Sequence, residues 1–386
     1  MANSTFDTDD DFQFNACVGN NGWVDHSTYS DGFDEAVTVL CQAVLSGGTA
    51  DTLIYPIVFC ARHRIELFIK SQLRKVGRIR KGISISDEKI IKTHDLAILW
   101  GLLENITEQC DSRYAELVSS CRPIVMDFFE MDPNGETFRY PYSQSGVKHL
   151  TDQSIIGLRR FTVAYAGLTD LMESIEMLSD RLYSEYATNT YTRALSRSDL
   201  EKIAKELPPR STWAASNKSF DVLKAKIIAR HSLGTRQYSE ALNIIQGHRE
   251  FSQYIGIDNT ISHCDPKKLR ELFKLRFNLN EHSGSFQDSF KLEYNEANKQ
   301  YLDFLNDRLS DEELATIMAL NELGSSVGYY SEHYDAMYVD HLSDIQNHKL
   351  SQIIYIKGKG AIEDRVCTAL KILRQENILI NVGLSI

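Results

Sequence analysis

A helix with two contrasting faces is the feature that most constrains the fold. Residues 53–73 read LIYPIVFCARHRIELFIKSQL. At about 100° of rotation per residue, its aliphatic side chains share one arc, and four other side chains share a second arc. The first arc holds Ile54, Ile57, Val58, Ala61, Ile65, Phe68 and Ile69, and the second holds Phe59, His63, Glu66 and Lys70. The apolar arc must pack against other helices, and the second arc is predicted to point away from that core.

The segment 62–92 is basic, although the chain is acidic. It holds ten Lys or Arg against three acids, whereas the whole chain has a formal net charge of −11. A local excess of positive charge is typical of a surface that binds phosphate, in a nucleotide or in RNA. The alternative is a solvated face, or a buried polar network that joins two helices, with Arg62, Glu66 and Lys70 paired at helical spacing.

Helical periodicity over most of the chain predicts an all-α fold. A length of 386 residues exceeds one average core and predicts more than one domain. Three segments are expected, namely a mobile acidic arm over 1–34, an antiparallel helical bundle over 35–190 and a second helical domain over 191–386. The first helix is expected to begin at Phe33.

Turn and capping signals add detail to this outline. The turn sequence DPNG at 132–135 is followed by aromatic residues and proline, which predicts at most a small hairpin near residues 136–142. Ser310 and Glu313 form a capping-box pattern that predicts the start of a helix. The apolar tail 378–386 is expected to pack as a short strand or an extended segment.

Several classes of protein do not fit this sequence. The longest apolar runs are too short for a membrane span, and the N-terminus MANSTFDTDDDFQF has neither the basic nor the apolar region of a secretory signal. We therefore expect a cytoplasmic protein with no membrane contact. The seven cysteines are widely spaced and show no zinc-ligand spacing with histidines. No metal and no cofactor are expected.

Three separated motifs resemble the HEPN superfamily. The strings RHRIELFIKSQL at 62–73, THDLAILW at 93–100 and FRYP at 138–141 occur in the order typical of prokaryotic HEPN-like proteins. The resemblance covers about residues 35–185. It implies an up-down four-helix bundle, frequent homodimerisation, and a frequent role in RNA cleavage or nucleotide binding within toxin–antitoxin and antiphage-defence systems. An antitoxin or another defence protein is the implied protein partner.

In the ribonuclease members of the superfamily, an R-x(4-6)-H motif brings an arginine and a histidine together across the dimer interface, and cleavage needs no metal. Histidine can move the proton of the 2′-hydroxyl near neutral pH, and arginine can hold the phosphate. The matched region contains no such string. Arg276 and His282 have this spacing in the second half, with a phenylalanine where the ribonuclease members usually carry a polar residue.

The candidate site residues follow from the basic face and from this resemblance. The catalytic candidates are Arg62, His63 and His94, the substrate-binding candidates are Glu66, Lys70, Arg74 and Arg139, and an alternative catalytic pair is Arg276 and His282. The expected function is that of a toxin or antiphage-defence protein that acts on RNA, as a metal-independent endoribonuclease.

Two other functions remain open. A non-catalytic helical module would bind a nucleotide or a protein through the same cationic pocket. Alternatively, the acidic arm and the acidic stretch 303–344, with ten acids against one arginine, would mimic nucleic acid towards a basic protein.

Overall fold

The structure, a computed structural model, describes residues 5–19, 21, 24–83, 85–86, 92–213, 218–281, 296–326 and 328–383. Within these residues the chain forms fifteen α-helices and no strand, so the prediction of an all-α fold is confirmed. The chain divides into two compact units, Met1–Tyr183 and Ser184–Ile386. None of the described helices is both long and apolar enough to cross a membrane.

Helix α2 is the centre of the first unit and packs against its neighbours α1 and α3. The helices of this part of the chain are α1 (His26–Leu45), α2 (Ala50–Ile79), α3 (Leu96–Cys110), α4 (Ala115–Met131) and α5 (Leu158–Ala187). The predicted apolar arc of α2 is buried from Ile57 to Ile69, and the helix continues this pattern to Val76. Burial of this arc is the main reason why the long helix is stable.

The first helix begins earlier in the chain than predicted from the sequence. Asp25 caps α1 by accepting hydrogen bonds from backbone N–H groups of the first turn, and the helix starts at His26 rather than at Phe33. Asp31 and Asp34 therefore lie on a helix and not on a mobile arm. The sequence did not identify Asp25 as the cap, because an aspartate that caps a helix cannot be distinguished by sequence from one in an acidic, mobile segment.

Residues 136–142 form turns and no hairpin. A single antiparallel bridge joins Tyr142 and Lys148, and the backbone N–H of Ser143 donates to the carbonyl of Val147 over 2.8 Å. Aromatic residues and proline made this segment resemble a strand. It instead forms a covering loop over one face of α2.

The second unit is also helical. Its helices are α6 (Arg197–Glu206), α7 (Lys218–Arg230), α8 (Thr235–Gly247), α9 (Arg249–Tyr254), α10 (Pro266–Glu281), α11 (Glu296–Asp303), α12 (Asp311–Leu323), α13 (His333–Lys357), α14 (Ile362–Ile372) and α15 (Glu376–Val382). Helix α12 is buried from Leu314 to Leu320 without a break. Ser310 is its N-cap, and the side chains of Ser310 and Glu313 form the predicted capping box.

The C-terminal tail is helical rather than extended up to Val382, and residues 384–386 lie outside the described residues. Helix α15 buries Ile378, Leu379 and Val382 against the second unit, and this spacing is helical. Gly383 ends the helix with a φ of 87°, a conformation that glycine adopts without steric cost. The expected strand was wrong because a short apolar run does not distinguish a strand from one buried helical turn.

Candidate functional site

Arg62 is a buried side chain that connects α2 to two other segments. Its Nε donates to the carbonyl of Asp132 over 2.9 Å, and one terminal nitrogen donates to the carbonyls of His94, at 2.6 Å, and Pro133, at 3.1 Å. The other terminal nitrogen donates to Oε2 of Glu66 over 2.9 Å. All three nitrogens are used inside the protein, so Arg62 holds the turn after α4 and the start of α3 against α2.

Glu66 is the centre of a polar network that we call the Glu66 network, formed by Arg62, Glu66, Lys70 and His94. Its Oε1 accepts from Nζ of Lys70 and contacts Nδ1 of His94, each at 2.8 Å. Burial raises the pKa of the Glu66 carboxyl, but the hydrogen bonds from Lys70, His94 and Arg62 outweigh this effect. The net pKa lies below its ordinary value, so Glu66 is ionised near neutral pH.

The polar face of α2 is not open to solvent, contrary to the sequence prediction. Arg62, Glu66 and Lys70 expose 2%, 3% and 7% of their surface. The periodicity correctly separated this face from the aliphatic core, but it could not show that residues 93–95 and 132–135 cover it. Buried charges need partners, and the Glu66 network supplies them. This geometry is that of the structural alternative, a polar network joining helices.

His94 is the exposed member of the Glu66 network. Its side chain is 64% exposed, whereas the Glu66 side chain it contacts is 4% exposed. A buried carboxylate on Nδ1 fixes the orientation of the ring and leaves Nε2 towards solvent. This is the arrangement in which a histidine can take and return a proton at Nε2.

His63 lies apart from the Glu66 network in an aromatic environment. Its ring packs edge-on against Phe33, with centroids 4.6 Å apart, and stacks on Phe59 at 5.9 Å. Burial is the largest cause that lowers the pKa of His63. The nearby charge of Glu66 opposes this shift, and those of Arg62 and Lys70 add to it. His63 is therefore neutral at neutral pH and packs as an aromatic residue.

Arg139 lies above the same aromatic group. Its guanidinium carbon is 5.7 Å from the ring centre of Phe59 and 5.1 Å from that of Tyr140. Tyr55, Pro56, Phe59, Phe138, Arg139 and Tyr140 line a cleft of about 350 Å³, which we call the aromatic cleft. Arg139 is exposed, and Tyr55 and Tyr140 expose 46% and 52% of their surface. The cleft thus offers aromatic faces and one accessible cation.

The remaining predicted residues lie elsewhere. Arg74 contacts Nε2 of His26 on α1 at 2.7 Å, and not Glu66. Arg276, on α10, donates to the carbonyl of Lys357 over 2.6 Å and lies 5.9 Å from the ring centre of Tyr301. His282 lies outside the described residues, so the pairing of Arg276 with His282 stays a prediction.

Two parts of this region were not identified as functional from the sequence. Tyr55 precedes Phe59 by one helical turn, and this i, i+4 aromatic spacing is a signal that could have indicated the cleft. Gly135 was assigned to a turn. Its φ is 76°, and a Cβ built there would lie 3.1 Å from a terminal nitrogen of Arg62. The turn at 132–135 therefore has the shape that lets its carbonyls reach Arg62.

Comparison with known proteins gives no family for this chain. No family model matches it, and neither does any curated protein or solved structure. The resemblance to the HEPN superfamily therefore stays a prediction, based on the three motifs. Within the described residues, no group of three or more His, Cys, Asp or Glu side chains is arranged to hold a metal ion.

Proposed function

We propose that the first unit binds single-stranded RNA along one face of α2, from the aromatic cleft to His94. The observation that carries this proposal is the exposed Arg139 held between the rings of Phe59 and Tyr140. Aromatic side chains beside an arginine suit an unstacked strand, because each base has a face for stacking and each nucleotide has a phosphate. Duplex RNA presents neither splayed bases nor a groove that such a cleft could read.

The dimensions of α2 support this extended mode. Phe59 and Glu66 are two helical turns apart, which corresponds to about 10 Å along the axis. Phe59 lines the aromatic cleft, and Glu66 contacts His94. A strand whose base stacks at the cleft would reach His94 within the next nucleotides. Arg62 then acts as a positioning residue, since its hydrogen bonds hold the segments that carry His94 and Arg139.

A second candidate function is metal-independent RNA cleavage, favoured by the contact between His94 and Glu66. Nε2 of His94 would take the proton of a 2′-hydroxyl, the 2′-oxygen would bond to phosphorus, and the bond from phosphorus to the 5′-oxygen would break. The same nitrogen would then return the proton to the leaving 5′-oxygen. The products would be a 2′,3′-cyclic phosphate and a free 5′-hydroxyl.

The biological role belongs to the same proposal. The HEPN resemblance implies a toxin or an antiphage-defence protein, a homodimer, and a partner protein that restrains it. Light scattering of the purified chain measures the dimer directly. Growth arrest on expression, compared between the wild type and a folded variant with His63→Ala and His94→Ala, measures toxicity.

The binding test uses the full chain and a fluorescently labelled single-stranded RNA, with its duplex as the comparison. We expect the single strand to bind more tightly, and Arg139→Ala and Tyr140→Ala each to weaken binding about tenfold, the loss typical of one stacking contact. The matched controls are Arg159→Ala and Tyr183→Ala, which remove exposed residues elsewhere in the unit. Equal binding by wild type and Arg139→Ala would overturn the proposal.

Cleavage is tested separately, on the same RNA in the presence of a chelator. Because the ring of His94 is mostly exposed, His94→Ala should fold normally and lose cleavage while it retains RNA binding. If the wild type binds RNA but never cuts it, the second candidate is wrong and the first stands.

A further inference from the structure

A second cavity, of about 450 Å³, lies wholly within the second unit. Its lining includes three tyrosines, Tyr254, Tyr329 and Tyr330, and three cations, Arg197, Lys371 and Arg374. Its volume is in the range of small-molecule sites. We call it the Arg374 cavity. It shares no lining residue with the aromatic cleft.

The acids of the Arg374 cavity are already neutralised by partners. Glu250 accepts from Arg197 over 2.6 Å, and Glu201 lies 2.6 Å from Nζ of Lys205. Among the described residues, Lys371 has no ion-pair partner. Its charge is therefore available to a ligand. A cation without an ion-pair partner on the cavity wall favours an anionic ligand at this place.

Arg374 has an unusual backbone conformation. Its φ is 54°, in the left-handed region, and it follows Leu373, the residue that caps the end of α14. Glycine is the usual residue at such a helix end, because a side chain there is strained. The conformation directs the guanidinium onto Tyr254, whose hydroxyl oxygen lies 3.0 Å from Nε and 2.7 Å from one terminal nitrogen. The other terminal nitrogen lies 3.6 Å from Glu376. Strain of this kind at a cavity wall is typical of a side chain required for function.

We propose that the Arg374 cavity binds a nucleoside monophosphate. Lys371 binds the phosphate together with the terminal nitrogen of Arg374 that does not contact Tyr254, since ammonium and guanidinium groups are its usual partners. In doing so, this nitrogen exchanges the carboxylate of Glu376, 3.6 Å away, for the phosphate. The base packs among the tyrosines, of which Tyr329 and Tyr330 are partly exposed. A ligand with both an aromatic ring and an anionic group contacts both the tyrosines and the cations of the lining, whereas inorganic phosphate contacts only the cations.

The ligand class is tested on the full chain with adenosine 5′-monophosphate as the probe. We expect it to raise the unfolding temperature in a saturable manner, because it binds the folded state. Adenosine alone and inorganic phosphate alone should each bind at least about tenfold more weakly, because each makes half of the contacts. No shift with the nucleotide, or an equal shift with phosphate alone, overturns the proposal.

The variant Arg374→Gly separates binding from folding. Glycine relieves the left-handed strain, which offsets the loss of the hydrogen bonds from Arg374 to Tyr254, so the variant should remain folded. It should bind the nucleotide about tenfold or more weakly, as expected for losing a hydrogen bond to a charged group, and so should Lys371→Gln. The matched control is Lys202→Gln, at an exposed lysine of α6. If Arg374→Gly binds like the wild type, or if the control loses binding equally, the site is wrong.

Discussion

The guanidinium of Arg62 donates a hydrogen bond of 2.6 Å to the backbone carbonyl of His94. The ring of the same histidine contacts Glu66, which in turn pairs with Arg62. The exposed imidazole is thus held at its backbone and at its ring by two buried, oppositely charged side chains of α2. Arg62 and Glu66, four residues apart on α2, therefore control the orientation of the His94 imidazole, which belongs to a separate segment.

Removal of Arg62 should be strongly destabilising. Arg62→Ala leaves the buried Glu66 with fewer partners and frees the carbonyls of Asp132 and Pro133, so we expect a loss of about 3 to 5 kcal/mol. Hydrogen exchange of peptides from α2 and α3 measures this loss within the full chain. Arg159→Ala, at an exposed arginine, should change protection by about 0.5 kcal/mol or less. Unchanged exchange in Arg62→Ala would contradict the structural role assigned to this residue.

The core of the first unit could be predicted because its signal is local. Ile57, Ala61 and Ile65 recur at helical spacing, and any packing that buries them yields a helix. The start of α1 and the helical tail could not be predicted. The start of α1 depends on Asp25, a residue type that is equally common as a helix cap and in a loop. The helical tail depends on burial by helices that are distant in sequence.

The candidate site was only partly predictable for a related reason. Residue spacing placed His63, Glu66 and Lys70 on one side of α2, and the structure agrees. Spacing does not show which residues from other segments cover a face, so the sequence left the burial of Glu66 as one alternative and could not decide between it and an exposed face. The aromatic cleft combines α2 with the loop that carries Arg139, and sequence periodicity does not relate such distant segments.

Gly324 is required by the close approach of two backbones. A Cβ built on Gly324, at the end of α12, would overlap the backbone carbonyl oxygen of Arg365 on α14. Gly324→Ala must therefore displace one of the two helices, which we expect to cost about 1 to 3 kcal/mol or more. Thermal unfolding measures this cost. Gly360→Ala is the control, because a Cβ there meets no atom within 4 Å. Equal unfolding temperatures for the two variants would contradict this packing.

Acid should weaken the second unit through Glu332. Burial raises the pKa of its carboxyl, but hydrogen bonds from His248 and Arg197 outweigh this and hold the pKa well below the ordinary 4.5. As the pH falls, the Glu332 carboxyl takes up its proton in the unfolded chain before it does so in the folded chain. The contribution of Glu332 to the free energy of unfolding is therefore complete above pH 4.5 and is lost as the pH falls towards the pKa of the folded state. Glu332→Gln should flatten this fall in the unfolding temperature, whereas the exposed Glu116→Gln should not.

His63 should make the first unit sensitive to pH in a higher range. Burial against Phe33 and Phe59 lowers its pKa from the ordinary 6.5. The unfolded chain therefore takes up this proton first as the pH falls through 6.5, and the free energy of unfolding declines until the folded pKa is passed. His63→Phe keeps an aromatic ring among aromatic neighbours and removes the titration. The hydrogen-exchange protection of α2 in His63→Phe should change less between about pH 7.5 and about pH 5.5 than it does in the wild type. A decline of the same size in both proteins would show that His63 is not the titrating group.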